Sequence, residues 1–184
     1  MNDNAHFCVA DPIDQRDMIF ALTREYFEWM NAEIVRACSF SISDVVGMPL
    51  DEYVVTTMKS LSSVDPREGV FYLLMTGSAA IAMGGLRRLP DGAAEIVRIY
   101  TRPAFRGLGY GKDMMDHLIG RACELGYATV RLDTAQFMHS AQRIYRSLGF
   151  TDCPAYAGAE PPEQLKRIWL YMEKDLRAQF EASG

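Results

Sequence analysis

The chain is poor in histidine, has no spaced cysteine pairs and carries no long apolar run, and each shortage removes a class of function. Three histidines (His6, His117, His139) and four cysteines (Cys8, Cys38, Cys123, Cys153) are scattered over 184 residues, with no Cys-x-x-Cys. His6 and Cys8 stand two apart, but no second pair completes a zinc site, so no metal is expected. The cysteines read as free thiols of a reducing compartment. No apolar stretch approaches the roughly 18–20 residues that cross a bilayer, which argues against a membrane protein. The start, Met1-Asn2-Asp3-Asn4, shows no basic region followed by an apolar one, so no secretory leader is expected and the chain reads as cytoplasmic. Positive charge is also short: 19 Lys and Arg stand against 24 Asp and Glu, a formal net charge of −5. That balance argues against nucleic acid or an anionic membrane surface as a partner. Repeats, low-complexity segments and linkers are missing, and the length suits one domain, 1–184, with a real core.

What is present is the stretch Tyr100 to Lys112, Tyr-Thr-Arg-Pro-Ala-Phe-Arg-Gly-Leu-Gly-Tyr-Gly-Lys. An apolar run leads into it and an amphipathic helical pattern leads out, so it reads as strand, turn and helix N-terminus. Gly107, Gly109 and Gly111 let the backbone come close to a ligand and take positive φ at no steric cost. The first helical turn has amides without intrahelical partners and a positive dipole end, and Arg106 and Lys112 add charge. The sum is a phosphate site. A Walker A loop is excluded, because Asp113 follows Gly111-Lys112 and Arg106 stands where the earlier glycine belongs. The dinucleotide fingerprint is excluded too, because the glycines run Gly-x-Gly-x-Gly.

The remainder parses into alternating elements. Residues 6–10 read as a strand. Asp11, Pro12 and Asp14 open a helix with Ile19, Leu22, Tyr26 and Met30 on its buried face. Residues 38–48 read as a loop, and Pro49, Asp51 and Glu52 open a second helix burying Leu50, Val54, Met58 and Leu61. Val70–Thr76 and Ala79–Arg88 read as a hairpin closed by Gly77-Ser78. Pro90-Asp91-Gly92 turns the chain into a strand over 93–101. After the glycine loop come a helix ended by Gly126, a strand over 128–133, a helix over 137–148 ended by Gly149, and a strand opened by Phe150. A loop over 154–164 precedes a last strand over 167–174, and the tail after Leu176 reads as frayed. The order predicts an α/β fold with a mixed sheet of about seven strands and about four helices. Crossovers from Thr101 to Asp133 and from Asp133 to Phe150 each suit neighbouring strands.

Residues 93–153 resemble the core of the GNAT N-acetyltransferase family. The likeness lies in Ala-Glu-Ile-Val-Arg-Ile-Tyr-Thr before the loop, in Arg106-x-x-Gly109-x-Gly111, and in Ala141-x-x-x-Tyr145-x-x-x-Gly149-Phe150. The resemblance implies a GNAT-like acyl-CoA N-acyltransferase fold and transfer of acetyl from acetyl-CoA to a primary amine by direct attack. It implies that backbone amides of Arg106, Gly107, Leu108, Gly109, Tyr110, Gly111 and Lys112 hold the pyrophosphate. It further implies that the backbone of Ile99, Tyr100 and Thr101 pairs with the pantetheine arm, with one amide facing the thioester oxygen. His139 and Ser140 are expected along the other side of the arm. Tyr145 matches the tyrosine that protonates the leaving thiolate, against the alternative of a core tyrosine. Glu95 stands where some members place a general base. Its alternatives are a water chain, or an exposed glutamate paired with Arg98 or Arg131. Asp133 is a further candidate base or a turn cap, and His139 a relay or a surface residue.

The acceptor is expected at the first two helices, the loop from Arg36 to Pro49 and the loop from Pro154 to Gln164, where Tyr26, Phe40, Tyr53 and Tyr156 are pocket candidates. The acidic balance favours a cationic acceptor: a small amine, an amino acid or a peptide N-terminus. Competing readings are a non-catalytic acyl-CoA-binding or sensing module and an acyltransferase using a longer acyl group. An exposed edge near the last strands would support a homodimer.

Overall fold

A computed structural model describes residues 5–62, 65–159 and 161–178, with side chains omitted from 60 to 62. The N-terminal residues bearing on a leader, the Leu61 side chain and the end of the tail lie outside the described residues. The strands are β1 (Ala5–Val9), β2 (Val70–Thr76), β3 (Ala79–Arg88), β4 (Ala94–Thr101), β5 (Thr129–Ala135), β6 (Thr151–Asp152) and β7 (Trp169–Asp175). The helices are α1 (Arg16–Cys38), α2 (Ile42–Val46), α3 (Leu50–Ser62), α4 (Tyr110–Glu124) and α5 (His139–Ser147).

The seven strands form one sheet in the order β1-β2-β3-β4-β5-β7-β6. The β2–β3 hairpin has the expected ends and turns at Gly77, whose φ of 57° suits glycine. Both faces are covered, which is why β2 and β3 are almost continuously apolar rather than alternating. Met114, Met115 and Leu118 of α4 pack on Leu86, Ile96 and Leu132 on one face. Ile19 and Leu22 of α1 pack on Leu73, Met83 and Tyr100 on the other.

Four expectations need correction. The second crossover does not join neighbours: β7 returns antiparallel between β5 and β6, pairing with both. The loop over 38–48 contains α2, held by a capping box in which Ser41 and Asp44 exchange hydrogen bonds. On α1, Tyr26 is only half-buried, and Phe27 takes the core position because α1 also packs on α3. Asp11 does receive the amides of Ile13 and Asp14, but it caps a turn, and α1 itself starts at Arg16.

Two irregularities open the centre of the sheet. First, β4 bulges: the register passes from Gly85↔Val97 to Met83↔Tyr100, so Arg98 and Ile99 both face Gly84. Arg98 adopts a left-handed φ of 57°. Second, β4 and β5 pair in parallel only from Ala94–Ile96 with Val130–Leu132, and then part. The bulge needs glycine opposite it, since a Cβ on Gly84 would lie 2.6 Å from Ile99 Cδ1 and 2.9 Å from Met114 Cγ. Gly84→Ala is therefore expected to destabilise the protein by about 1–3 kcal/mol through overpacking, read as a fall in the urea midpoint at unchanged slope.

Candidate active site

The parting of β4 from β5 leaves the backbone of Val97 to Thr101 facing a gap on one side, while Tyr100 and Thr101 pair with Met83 and Ala82 on the other. A strand edge of this kind can pair with an extended ligand arm. At its far end lies a groove of about 550 Å³. Thr101, Arg106, Gly107, Gly109, Tyr110, Gly111, Lys112 and Ser140 line it, so eight of the residues singled out in sequence come together.

The groove is built for an anion mainly by backbone. Gly107 and Gly109 have φ of 78° and 92°, and Gly109 is the N-cap of α4. Among the described residues, the amides from Gly107 to Gly111 donate to no protein acceptor. The side chains contribute less than their charges suggest. Lys112 Nζ is 2.6 Å from Asp116, and Arg106 Nε donates to Thr101 O at 3.0 Å. The Arg106 guanidinium also lies over the rings of Trp29 and Tyr100, 5.5 and 5.6 Å from their centres. Tyr110 and Tyr100 are buried, so only their backbones are offered, and Leu108 points outward, 59% exposed. His139 is exposed at the start of α5 and lines neither groove nor cavity.

The groove has a second wall that the sequence reading missed. Arg143, Ile144 and Ser147 of α5 join Ser140, a spacing of three, four and seven that marks one helical face. Arg143 donates to Ser140 Oγ at 3.0 Å and brings a further cation to the groove.

At the other end of the gap, between the bulge and α1–α3, is a cavity of about 130 Å³. Tyr145, Ile99, Val97 and Asp133 line it. Tyr145 is 6% exposed, tilted against Phe150, and burial, then the negative charge of Asp133, pushes its phenol well above the ordinary tyrosine value. Asp133 lies just past the last residue of β5 that pairs with β4 and accepts from Trp169 Nε1 at 2.8 Å. That bond comes from β7 rather than from the following turn.

Glu95 is not the water-exposed residue that one alternative reading allowed. It is completely buried and sits before the bulge, opposite Arg87 in regular register. Its Oε2 is 2.5 Å from Arg87 Nη2, and its Oε1 accepts from Tyr156 Oη at 2.7 Å. Neither Arg98 nor Arg131 is the partner shown: Arg98 Nη1 donates to Thr57 O of α3, and Arg131 pairs with Asp91 and Glu173. Burial raises the Glu95 pKa to about 7, against the lowering pull of Arg87 and of the Tyr156 hydrogen bond, with Asp133 adding to the rise. The buried Tyr156 phenol is pushed far up by desolvation and then by Glu95, so it stays a donor.

The comparisons meet this geometry. The family model described as "Acetyltransferase (GNAT) family" matches residues 24–150. The chain belongs to the GNAT acetyltransferase family. An uncharacterized N-acetyltransferase of Schizosaccharomyces pombe is 37% identical over 65 residues, covering 35% of this chain and 40% of that protein. The chain thus aligns with less than half the length of that relative. Two solved acetyltransferase structures share the fold. The GNAT acetyltransferase of Staphylococcus aureus gives a TM-score of 0.68 at 15% identity, over 94% of this chain and 99% of that one. The PaiA N-acetyltransferase of Thermoplasma acidophilum, solved in complex with coenzyme A, gives 0.68 at 16% identity, over 93% and 98%.

Proposed function

We propose that this GNAT protein transfers the acetyl group of acetyl-CoA to a primary amine. The observation that carries the proposal is the continuity of three features: the amide-lined groove, the unpaired edge of β4, and a small cavity holding Tyr145 and Asp133. The residues present fit the co-substrate. The groove offers unpartnered amides at a helix N-terminus for a pyrophosphate, and the β4 edge offers pairing for an amide-bearing arm. Bound there, acetyl-CoA would supply a thioester to the attacking amine at the cavity. The PaiA protein, which shares the fold, is seen with coenzyme A.

Within that frame each side chain has a task. An amine is an ammonium at neutral pH and must lose a proton before attack. The carboxylates at hand are Asp133 on the cavity wall and Glu95 buried behind it, and Glu95, with a pKa near 7, suits proton acceptance at neutral pH. A β4 amide beside the gap would steady the charge growing on the carbonyl oxygen. Tyr145, held protonated by burial, would give its proton to the departing sulfur. The small cavity favours acetyl over a longer acyl group. The presence of both a buried donor and a carboxylate favours turnover over mere sensing.

The test is a calorimetric titration with acetyl-CoA, ATP and NAD in parallel, followed by thiol release with amines. Saturable binding of acetyl-CoA alone is expected; binding of ATP or NAD instead would sink the reading. The base assignment has its own test in pH. Glu95 accepts a proton only when ionised, so kcat/KM for the amine should climb as pH rises through about 7. Glu95→Gln should flatten that rise and lower turnover about 100-fold. An unchanged profile in this variant would assign the proton to another group.

A further inference from the structure

The groove at the start of α4 is larger than its amide loop needs. Its volume of about 550 Å³ suits a ligand of nucleotide size rather than a diphosphate alone. Among the described residues three cations line it, Arg106, Lys112 and Arg143, and no carboxylate does. Two of the three are engaged within the protein. Lys112 Nζ lies 2.6 Å from Asp116. Arg106 donates to the Thr101 carbonyl and holds its guanidinium over the rings of Trp29 and Tyr100. Arg143, on the α5 wall, is different. Among the described residues it has no acidic partner, and its one hydrogen bond runs from Nη2 to the neutral Ser140 Oγ at 3.0 Å. The rest of its planar set of N–H donors has no protein acceptor there. Ser140 accepts that bond and keeps its own hydroxyl hydrogen to donate.

Acetyl-CoA carries phosphate in two forms. Its pyrophosphate lies within the arm, and amides at a helix N-terminus suffice to hold it. Its ribose bears a separate 3′-phosphomonoester, with a charge of about −1.5 to −2 at neutral pH. A guanidinium matches such a group better than dipoles do, because its fork gives two parallel charge-assisted hydrogen bonds to phosphate oxygens. The groove offers the two kinds of partner on two elements, amides at the start of α4 and the arginine on α5. Resting on the acetyl-CoA reading, we propose that Arg143 and Ser140 form the receptor for the 3′-phosphate of the co-substrate. Arg143 supplies the charge and the fork, and Ser140 positions Arg143 and adds a hydroxyl donor. The glycine loop holds the pyrophosphate without regard to the ribose, so the choice of a 3′-phosphorylated nucleotide end falls to α5.

The test compares coenzyme A with 3′-dephospho-coenzyme A, which keeps the pyrophosphate and the arm, in calorimetric titrations of the protein. The wild type should bind coenzyme A about 10- to 100-fold more tightly, the worth of hydrogen bonds to a charged group. Arg143→Ala should lose most of that difference through weaker binding of coenzyme A alone, with dephospho-coenzyme A held within about twofold of wild type. Residue 143 is exposed on α5 and alanine is the best helix former, so the variant keeps its fold. Arg143→Lys retains the charge without the fork and should discriminate to an intermediate degree. Equal weakening of both ligands by Arg143→Ala would assign the side chain to the pyrophosphate and overturn the proposal. So would discrimination that survives intact in Arg143→Ala, or a wild type that binds the two ligands alike. In each of those cases the acetyl-CoA reading stands. Binding of neither ligand by the wild type would bring down both.

Discussion

Gly109→Glu is expected to abolish acetyl-CoA binding, lowering affinity at least 100-fold in a calorimetric titration while the protein stays folded. The reasoning separates what the substitution does to the protein from what it does to the ligand. A Cβ at Gly109 would meet no atom within 4 Å, so there is no clash with the rest of the chain. The residue has φ of 92° at the N-cap of α4, where an L side chain is strained by about 1–3 kcal/mol. A carboxylate at a helix N-terminus recovers about 0.3–1 kcal/mol of that. The net cost to folding is about 0–3 kcal/mol, below the roughly 5–15 kcal/mol that holds a typical domain together. The ligand suffers more, because the new carboxylate would occupy the mouth of an amide-lined anion site and repel a pyrophosphate. Gly109→Ala introduces the same strain without charge and should bind with an affinity much closer to wild type. Equal binding by Gly109→Glu and wild type would show that the loop holds no phosphate.

Tyr145→Phe is the second large effect. Turnover should fall about 100- to 1,000-fold, the usual range for loss of a positioned acid, with the acetyl-CoA dissociation constant within about twofold of wild type. The ring is buried against Phe150 and remains so in the variant; only the hydroxyl is removed. Because burial holds the phenol protonated far above assay pH, Tyr145 contributes no limb to the pH profile near neutrality. The variant should therefore be slow at every pH with its profile's shape intact. Glu95→Gln should instead change the shape. That contrast tells an acid from a base without reference to either's absolute rate. An undiminished rate in Tyr145→Phe across pH would take the residue out of the mechanism.

The elements that sequence made legible are those fixed by local rules. The β2–β3 hairpin is written in two apolar runs and the Gly77-Ser78 turn, and α4 in its glycine start and its repeating Met114, Leu118 and Ala122. The groove is also local, because its main wall is one continuous loop. Even α2 carried a readable signal in Ser41 and Asp44, although a helix of one turn is easily taken for loop. What stayed hidden depends on pairings distant in sequence. Nothing near residue 169 indicates that β7 slides between β5 and β6. Nothing near Glu95 announces Tyr156, whose hydroxyl arrives from 61 residues away. The cavity's composition is likewise spread over α1, α2, α3 and the loop before β7. Tyr26 and Tyr53 do line it, whereas Tyr156 serves Glu95 instead and Phe40 lies outside it.

The bond between Tyr156 and Glu95 ties the proposed base to the segment that leads into the cavity wall. Arg87 strengthens the tie, since Nη2 reaches the Gly158 carbonyl at 2.6 Å while also contacting Glu95. The segment so held runs on to Pro161, Pro162 and Leu165, which wall the cavity. Any remodelling of that segment to admit a new amine that also withdraws Tyr156 removes one of the groups that lowers the Glu95 pKa. On the proposed base role of Glu95, losing that hydroxyl while the ring stays in place moves proton acceptance to a more alkaline medium. On the proposed roles of Glu95 and of this loop, selectivity and pH optimum are inherited together, and a variant evolved for one drifts in the other unless residue 156 keeps its hydroxyl in place.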